Sequence, residues 1–437
     1  MGLKFYDRKK ECETLQEIEA LSAESSQMTV MVGRRRVGKT TLLKASFTKT
    51  TTLYLFVAKK NEVLLCEEFS NEVSEKLGIS LGRYNSFAEL FRAIMQLSES
   101  RNFTLIIDEF QEFALLNNSI FSDMQNIWDS TKDRSKINLV LCGSIYSMMR
   151  KIFEHSKEPL FGRATAKITL KPFDIATIKE ILGDHNPNYC NEDLLAFYLA
   201  TGGVAKYVEQ LVRYKALTKK RIIEYIFREN SYFLNEGRDV LIDEFGRDYA
   251  NYFSILSLIA SSKNERGDIE STLGMTIGGY LEKLEKDYSI IKRIRPFGAK
   301  EGSRSNKYLI EDNFLNLYFR FIYKYRSAVE IGNMEYVKDI VLRDYDTFSG
   351  LVLEKYFRAK FIDSKEFSAV ESYWNRRGEN EIDIVAVNDI KRRIIFCEVK
   401  RNKSKISIPL LQNKAAEIVR KYPDYEVEYR ALSLEDM

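Results

Sequence analysis

Over the first 170 residues, short continuous apolar runs alternate with stretches whose apolar positions recur at helical spacing. Residues 28–32, 53–57, 103–107, 137–141 and 166–170 each read as a buried strand. Strands alternating with helices predict a parallel sheet covered on both faces. From 171 to 244 the pattern is helical without strong strands, which predicts a small lid on that core. Residues 245–312 change again. An apolar helix at 252–260, a short helix near 268–273 and a third starting at Thr276 precede strands near 290–294 and 307–310, a winged-helix pattern. The apolar run 314–323 predicts a buried helix joining domains. Farther on, a helical stretch at 351–357 precedes strands at 381–387 and 393–400, joined by a turn at Asn388-Asp389, and a helix at about 410–419. The expected class is α/β, in segments 1–170, 171–244, 245–312, 313–345 and 346–437.

Composition narrows the functions. At 437 residues the chain has room for two to four domains of roughly 150 residues. Its 45% apolar and 30% charged residues, with only 6 Pro, exclude a disordered or collagen-like chain. The net charge of +4 is close to balance, so any site for a polyanion must be local. The 5 cysteines are odd in number and scattered, which fits neither a disulfide framework nor a zinc ribbon. Only 2 histidines, His155 and His185, are present, both in polar surroundings, leaving little material for His-metal sites or Ser-His-Asp triads. No apolar run approaches the ~18 residues that span a membrane, and the first residues lack a signal-peptide core, so a cytoplasmic protein is expected.

The strongest motif is Gly33-Arg34-Arg35-Arg36-Val37-Gly38-Lys39-Thr40, a full G-x-x-x-x-G-K-[ST] with a strand before it and a helix from Thr41 after it. Its glycines let backbone N–H groups close around phosphates, and the helix N-terminus adds positive potential. Lys39 then reaches the outer phosphates and Thr40 ligates Mg²⁺. The run 103–107 ends in Asp108-Glu109, with Asp108 placed to hold Mg²⁺ through water and Glu109 to polarise the attacking water. An intervening strand and a Glu directly after the Asp resemble the additional-strand branch of P-loop NTPases, which includes AAA+ and RecA-like proteins. Such proteins place a polar sensor where this chain has Ser144, although a strand-end Ser is also an ordinary helix cap. Arg163, in Leu160-Phe161-Gly162-Arg163, is a candidate arginine finger for a neighbouring subunit of a homo-oligomer, or a plain surface charge.

Residues 1–345 resemble the AAA+/STAND-type ATPases of archaea and bacteria. The matching pieces are Phe5-Tyr6-Asp7-Arg8-Lys9-Lys10-Glu11, the P-loop, Ile107-Asp108-Glu109-Phe110-Gln111, Gly162-Arg163 and Thr201-Gly202-Gly203-Val204. The family usually has Pro two residues after the last of these glycines, where this chain has Ala205. The resemblance implies ATP as ligand, Mg as its partner, and Arg8 near the nucleotide base or ribose.

The last 90 or so residues hold a second constellation. Folding the hairpin about residues 390–391 sets Asp383 opposite Glu398, with Cβ atoms ~5 Å apart, near enough to share one divalent metal. Period two puts Lys400 on the same face as Glu398, where it can activate a water or stabilise a pentavalent phosphorus. Glu354, in the preceding helical stretch, can complete the cluster. A solvent-facing hairpin with alternating charges is the plainer reading of the same pattern. Asp383, Glu398-Val399-Lys400 and the upstream Glu354 resemble the PD-(D/E)xK, or restriction-endonuclease-like, superfamily, with Gln412 and Lys414 where that superfamily often has an extra polar residue. The resemblance implies Mg-dependent cleavage of DNA. Lys292, Arg293, Arg295, Lys300, Arg304 and Lys307 in the wing, and Arg376, Arg377, Arg401, Lys403 and Lys405 near the cluster, can offset phosphate charge. Glu282, Glu285 and Asp287 make the third helix a poor reader of bases. The expected function is ATP binding and hydrolysis coupled to a metal-dependent DNA nuclease domain. The alternative is an ATP-driven switch or scaffold whose last domain binds DNA or a partner without cutting.

Overall fold

The computed structural model describes residues 4–300, 302, 305–375 and 380–437; Arg304, Arg376 and Arg377 lie outside the described residues. Two units are distinguished by their internal contacts, Tyr6–Pro172 and Phe173–Met437, the latter also taking in Lys4 and Phe5.

In the first unit β1 (Gln27–Val32), β2 (Thr52–Phe56), β3 (Phe103–Asp108), β4 (Ile137–Gly143) and β5 (Ala166–Thr169) pair in parallel in the order β2-β3-β4-β1-β5. Every residue of β3 and β4 is buried, as strands covered on both faces require. β4 therefore separates β1 from β3, the intervening strand that the sequence pattern suggests. One face packs on a cluster that includes Phe87, Phe91, Phe110, Phe113, Phe121 and Phe153, with Phe110 and Phe153 ring centroids 5.6 Å apart.

The second unit begins with helices. Ile175–His185, Asn191–Thr201, Ala205–Arg213 and Lys219–Ile226 run without an intervening strand. Helices Tyr249–Ala260, Arg266–Leu273 and Gly278–Glu282 precede β6 (Ile291–Ile294) and β7 (Lys307–Ile310), which pair antiparallel with Ile291 opposite Ile310. Phe314, Leu315, Phe319 and Ile322 are buried in the helical run that follows. A 30-residue helix, Met334–Asp363, comes next. The boundary expected after residue 345 falls inside it, because Val337, Val341, Tyr345, Phe348 and Val352 keep one buried stripe at helical spacing across that point.

The closing sheet is β11-β10-β9-β8, formed by β8 (Ala369–Trp374), β9 (Glu381–Asn388), β10 (Arg393–Val399) and β11 (Glu426–Leu432). Only β10 and β11 run parallel. The central β9 and β10 are nearly continuously buried, whereas β8 and β11 at the edges are half-buried and were not anticipated from the sequence. No helix among the described residues is long and apolar enough to cross a membrane.

Candidate functional site

At the end of β1 the chain turns through Gly33, where a Cβ would sit 2.8 Å from the Leu170 carbonyl oxygen, and then through left-handed Arg36 (φ 75°) and Gly38 (φ 98°) into helix Lys39–Ser46. Val37 is buried against Gly33, while Arg36 and Thr41 are exposed. Lys39 is 8% exposed and its Nζ donates to the carbonyls of Gly33 at 2.6 Å and Arg34 at 3.3 Å, so the loop curls around its own lysine. Burial lowers the Lys39 pKa, against the raising pull of Cys142, Glu109 and Asp108.

Asp108 ends β3 facing this loop. It accepts from Thr40 Oγ1 at 3.3 Å, from the Cys142 thiol at 3.1 Å, from the Glu109 N–H at 2.9 Å and from the Tyr54 hydroxyl. Burial, and then Asp108 itself, push the Cys142 thiol well up, so it stays protonated and donates. Glu109 stands in left-handed backbone (φ 53°), and its Oε2 accepts from Gln111 Nε2 at 2.6 Å and from Ser144 Oγ at 2.7 Å. Arg35 Nε in turn donates to Ser144 Oγ at 3.3 Å. Lys39, Thr40, Asp108, Glu109, Ser144 and Arg35 thus lie in one cluster at the strand ends.

Arg8 is 5% exposed, and its guanidinium donates to the Lys171 carbonyl at 2.6 Å, one residue beyond the Leu170 that crowds Gly33. Arg163 is not brought to this cluster. It forms a forked ion pair with Asp129, at 2.8 Å in its shortest contact, and caps the Pro159 and Phe161 carbonyls. Sequence reading missed Tyr54, Cys142 and Gln111. Their only signal was position: strand ends and the turn flanking the two acids.

In the second unit, β9 and β10 pair antiparallel as far as Cys397 opposite Ile384, and Glu398 and Asp383 are the next residues beyond that last pair. Asp383 Oδ2 accepts from the Val399 N–H at 2.7 Å. Lys400 Nζ lies 3.4 Å from Asp383 and 3.2 Å from Glu398, bridging the two carboxylates. Lys414 adds a second ammonium 3.2 Å from Glu398, while Gln412 is exposed and takes no part. Burial raises the Asp383 carboxyl, against Lys400 and the Val399 N–H. Burial opposes the charge on Lys400, but Asp383 and Glu398 outweigh it and raise its pKa. On the long helix, burial and then the Asp383 charge lift Glu354 to about 8. One turn on, Arg358 was also missed; it donates to the Asp383 carbonyl at 3.1 Å and to the Ser372 hydroxyl.

The sheet order, the glycine loop on Lys39 and the Asp108–Thr40 contact define a P-loop ATPase-type domain. Consistent with this, residues 5–211 match a family described as an ATPase domain predominantly from Archaea, and residues 318–418 match a family of archaeal and bacterial proteins of unknown function. An uncharacterized protein of Methanocaldococcus jannaschii is 27% identical over 410 residues, covering 91% of this chain and 87% of that protein. The Walker-type ATPase of Pyrococcus abyssi is similar in fold, with a TM-score of 0.55 at 22% identity over 72% of this chain and 96% of that one.

Proposed function

We propose that the chain binds and hydrolyses ATP at the Lys39 loop, and that its nucleotide state governs a metal-dependent nuclease site at Asp383, Glu398 and Lys400 that acts on DNA. At the first site the Thr40 hydroxyl and Asp108 carboxylate lie 3.3 Å apart, a hard-oxygen pair suited to Mg²⁺, which would neutralise phosphate charge. Lys39 would give up its loop carbonyls for the outer phosphates, and Glu109 would take the proton of the attacking water once released from Ser144 and Gln111. At the second site, two carboxylates gathered around Lys400 would supply the oxygen ligands that a hard divalent cation prefers. Lys400 would steady the charge that builds on phosphorus, and Glu354, its pKa raised to about 8 by burial and Asp383, would exchange a proton there.

The observation that carries the nuclease reading is the convergence of Asp383, Glu398 and Lys400 on one end of β9 and β10. One observation favours a non-cutting switch or scaffold instead. Among the described residues no group of three or more His, Cys, Asp or Glu side chains is arranged to hold a metal, and Lys400 and Lys414 already balance the carboxylates. Titrating Mn²⁺ into the full chain separates the two readings. The nuclease reading expects an isotherm that Asp383→Asn removes and Lys39→Ala leaves in place. Metal uptake indifferent to Asp383→Asn would leave the scaffold.

A further inference from the structure

A groove of about 700 Å³ runs between the β6–β7 hairpin and the closing sheet of the same unit. Five cationic side chains line it, Lys292, Arg293 and Arg295 from β6 and the residues after it, and Arg358 and Lys365 from the end of the long helix and just beyond. Two carboxylates, Glu285 and Glu371, oppose them, and Glu285 is already paired with Arg293 at 3.4 Å. Lys292, Arg295 and Lys365 form no ion pair with any described residue. Three ammonium or guanidinium groups without an ion-pair partner, against Glu371 as the one carboxylate of the lining that is also in no ion pair, leave the groove with an excess of positive charge.

The groove is built into the fold. Just past β6 the chain bridges to the edge strand β8 at Pro296 and Ser372, and the Phe297 N–H donates to the Ser372 carbonyl at 2.8 Å. The floor then meets the backbone of Asp383. Ser372 Oγ donates to the Asp383 carbonyl at 2.8 Å, and Arg358, which lines the groove, donates to the same carbonyl. Arg358 Nε is buried without a hydrogen-bond partner, so the guanidinium is held with spare donor capacity between groove and cluster.

We propose that this groove takes the sugar–phosphate backbone of a single nucleic-acid strand and leads it to the Asp383 cluster. The proposal rests on the nuclease reading for its destination, but not for its binding chemistry. Cations spaced along a strand match the repeating charge of a phosphodiester chain, and Phe367 on the wall offers a face on which a base can stack. The volume is that of a small-ligand cleft and admits one strand; a duplex, whose major groove alone is about 12 Å wide, does not enter it.

The test is fluorescence anisotropy with the full chain in EDTA, using a labelled DNA strand of about a dozen nucleotides and the matching duplex across a salt series. The expected result is tighter binding of the single strand. Lys292→Ala with Arg295→Ala should weaken it about 10-fold and flatten the log–log salt slope by ~0.7 for each phosphate no longer neutralised. Lys365→Gln, an exposed change with no pairing to break, should weaken it by a smaller factor, and Lys220→Ala on a remote helix should leave it unchanged. Unaltered affinity in the groove variants, equal binding of the duplex, or equal displacement by inorganic polyphosphate would overturn the proposal. Binding that maps to the groove without any metal-dependent cutting would remove the nuclease reading and keep the groove; cutting that needs Asp383 but ignores the groove residues would do the reverse.

Discussion

The Glu354 carboxyl joins burial to chemistry most directly. Its surroundings raise it to about 8, above the ~4.3 of an unfolded chain. A raised folded value means that the native state holds the proton longer than the unfolded state. The associated stability is complete below about pH 4 and is lost as pH rises through 8. Glu354→Gln cannot titrate. Relative to that variant, the wild type should therefore lose roughly 2–4 kcal/mol between pH 5 and 8, measured by denaturant unfolding in EDTA. Parallel pH profiles would place the Glu354 proton elsewhere. Glu109 yields a second residue-scale expectation: Glu109→Gln should keep nucleotide affinity within a few-fold while hydrolysis falls by about 100-fold or more, read by filter binding and phosphate release.

At the scale of elements, Thr201-Gly202-Gly203-Val204 acquires its physical meaning only in the fold. Gly203 has φ 80°, and a Cβ there would sit 2.2 Å from the Phe173 carbonyl oxygen, which no side chain can accommodate without moving backbone. Gly203→Ala should cost roughly 2–4 kcal/mol in an unfolding titration. Ala205 is the opposite case. It opens helix Ala205–Arg213 after an extended Val204 (φ −66°, ψ 118°), the position and preceding conformation that proline suits. Ala205→Pro should match the wild type or gain up to about 1 kcal/mol, and a clear loss would mean that the Ala205 N–H has a partner. The same scale explains what the sequence disclosed. β3, β4, β9 and β10 are buried on both faces, so continuous apolar runs reveal them. β8 and β11 are half-exposed edges whose mixed residues carry no such run. The spacing along two neighbouring strands put Asp383 and Glu398 at the same end of β9 and β10, where Lys400 reaches both, whereas Arg358 and Tyr54 reach their partners through contacts between strands and helices that no local spacing encodes.

On the scale of the whole molecule, each unit carries its own anion chemistry, a phosphate loop in the first and a carboxylate–lysine cluster in the second. Within the second unit the cluster is tied to the helices after residue 173. Arg401, next to Lys400, holds Glu192 of helix Asn191–Thr201 at 2.8 Å, and Lys219 holds the same carboxylate at 2.9 Å. Arg401 also donates to Ser349 Oγ on the long helix at 2.8 Å. Glu192→Ala removes the shared anchor and should lower cutting several-fold with little change in ATP turnover, compared by initial rates; equal losses in both would point to general destabilisation. Plasmid nicking in Mg²⁺ with phosphate release followed in the same reaction shows whether one chain both hydrolyses ATP at Lys39 and cuts DNA at Lys400. Lys400→Ala should abolish nicking and still turn over ATP. Nicking by Lys400→Ala at the wild-type rate would contradict it.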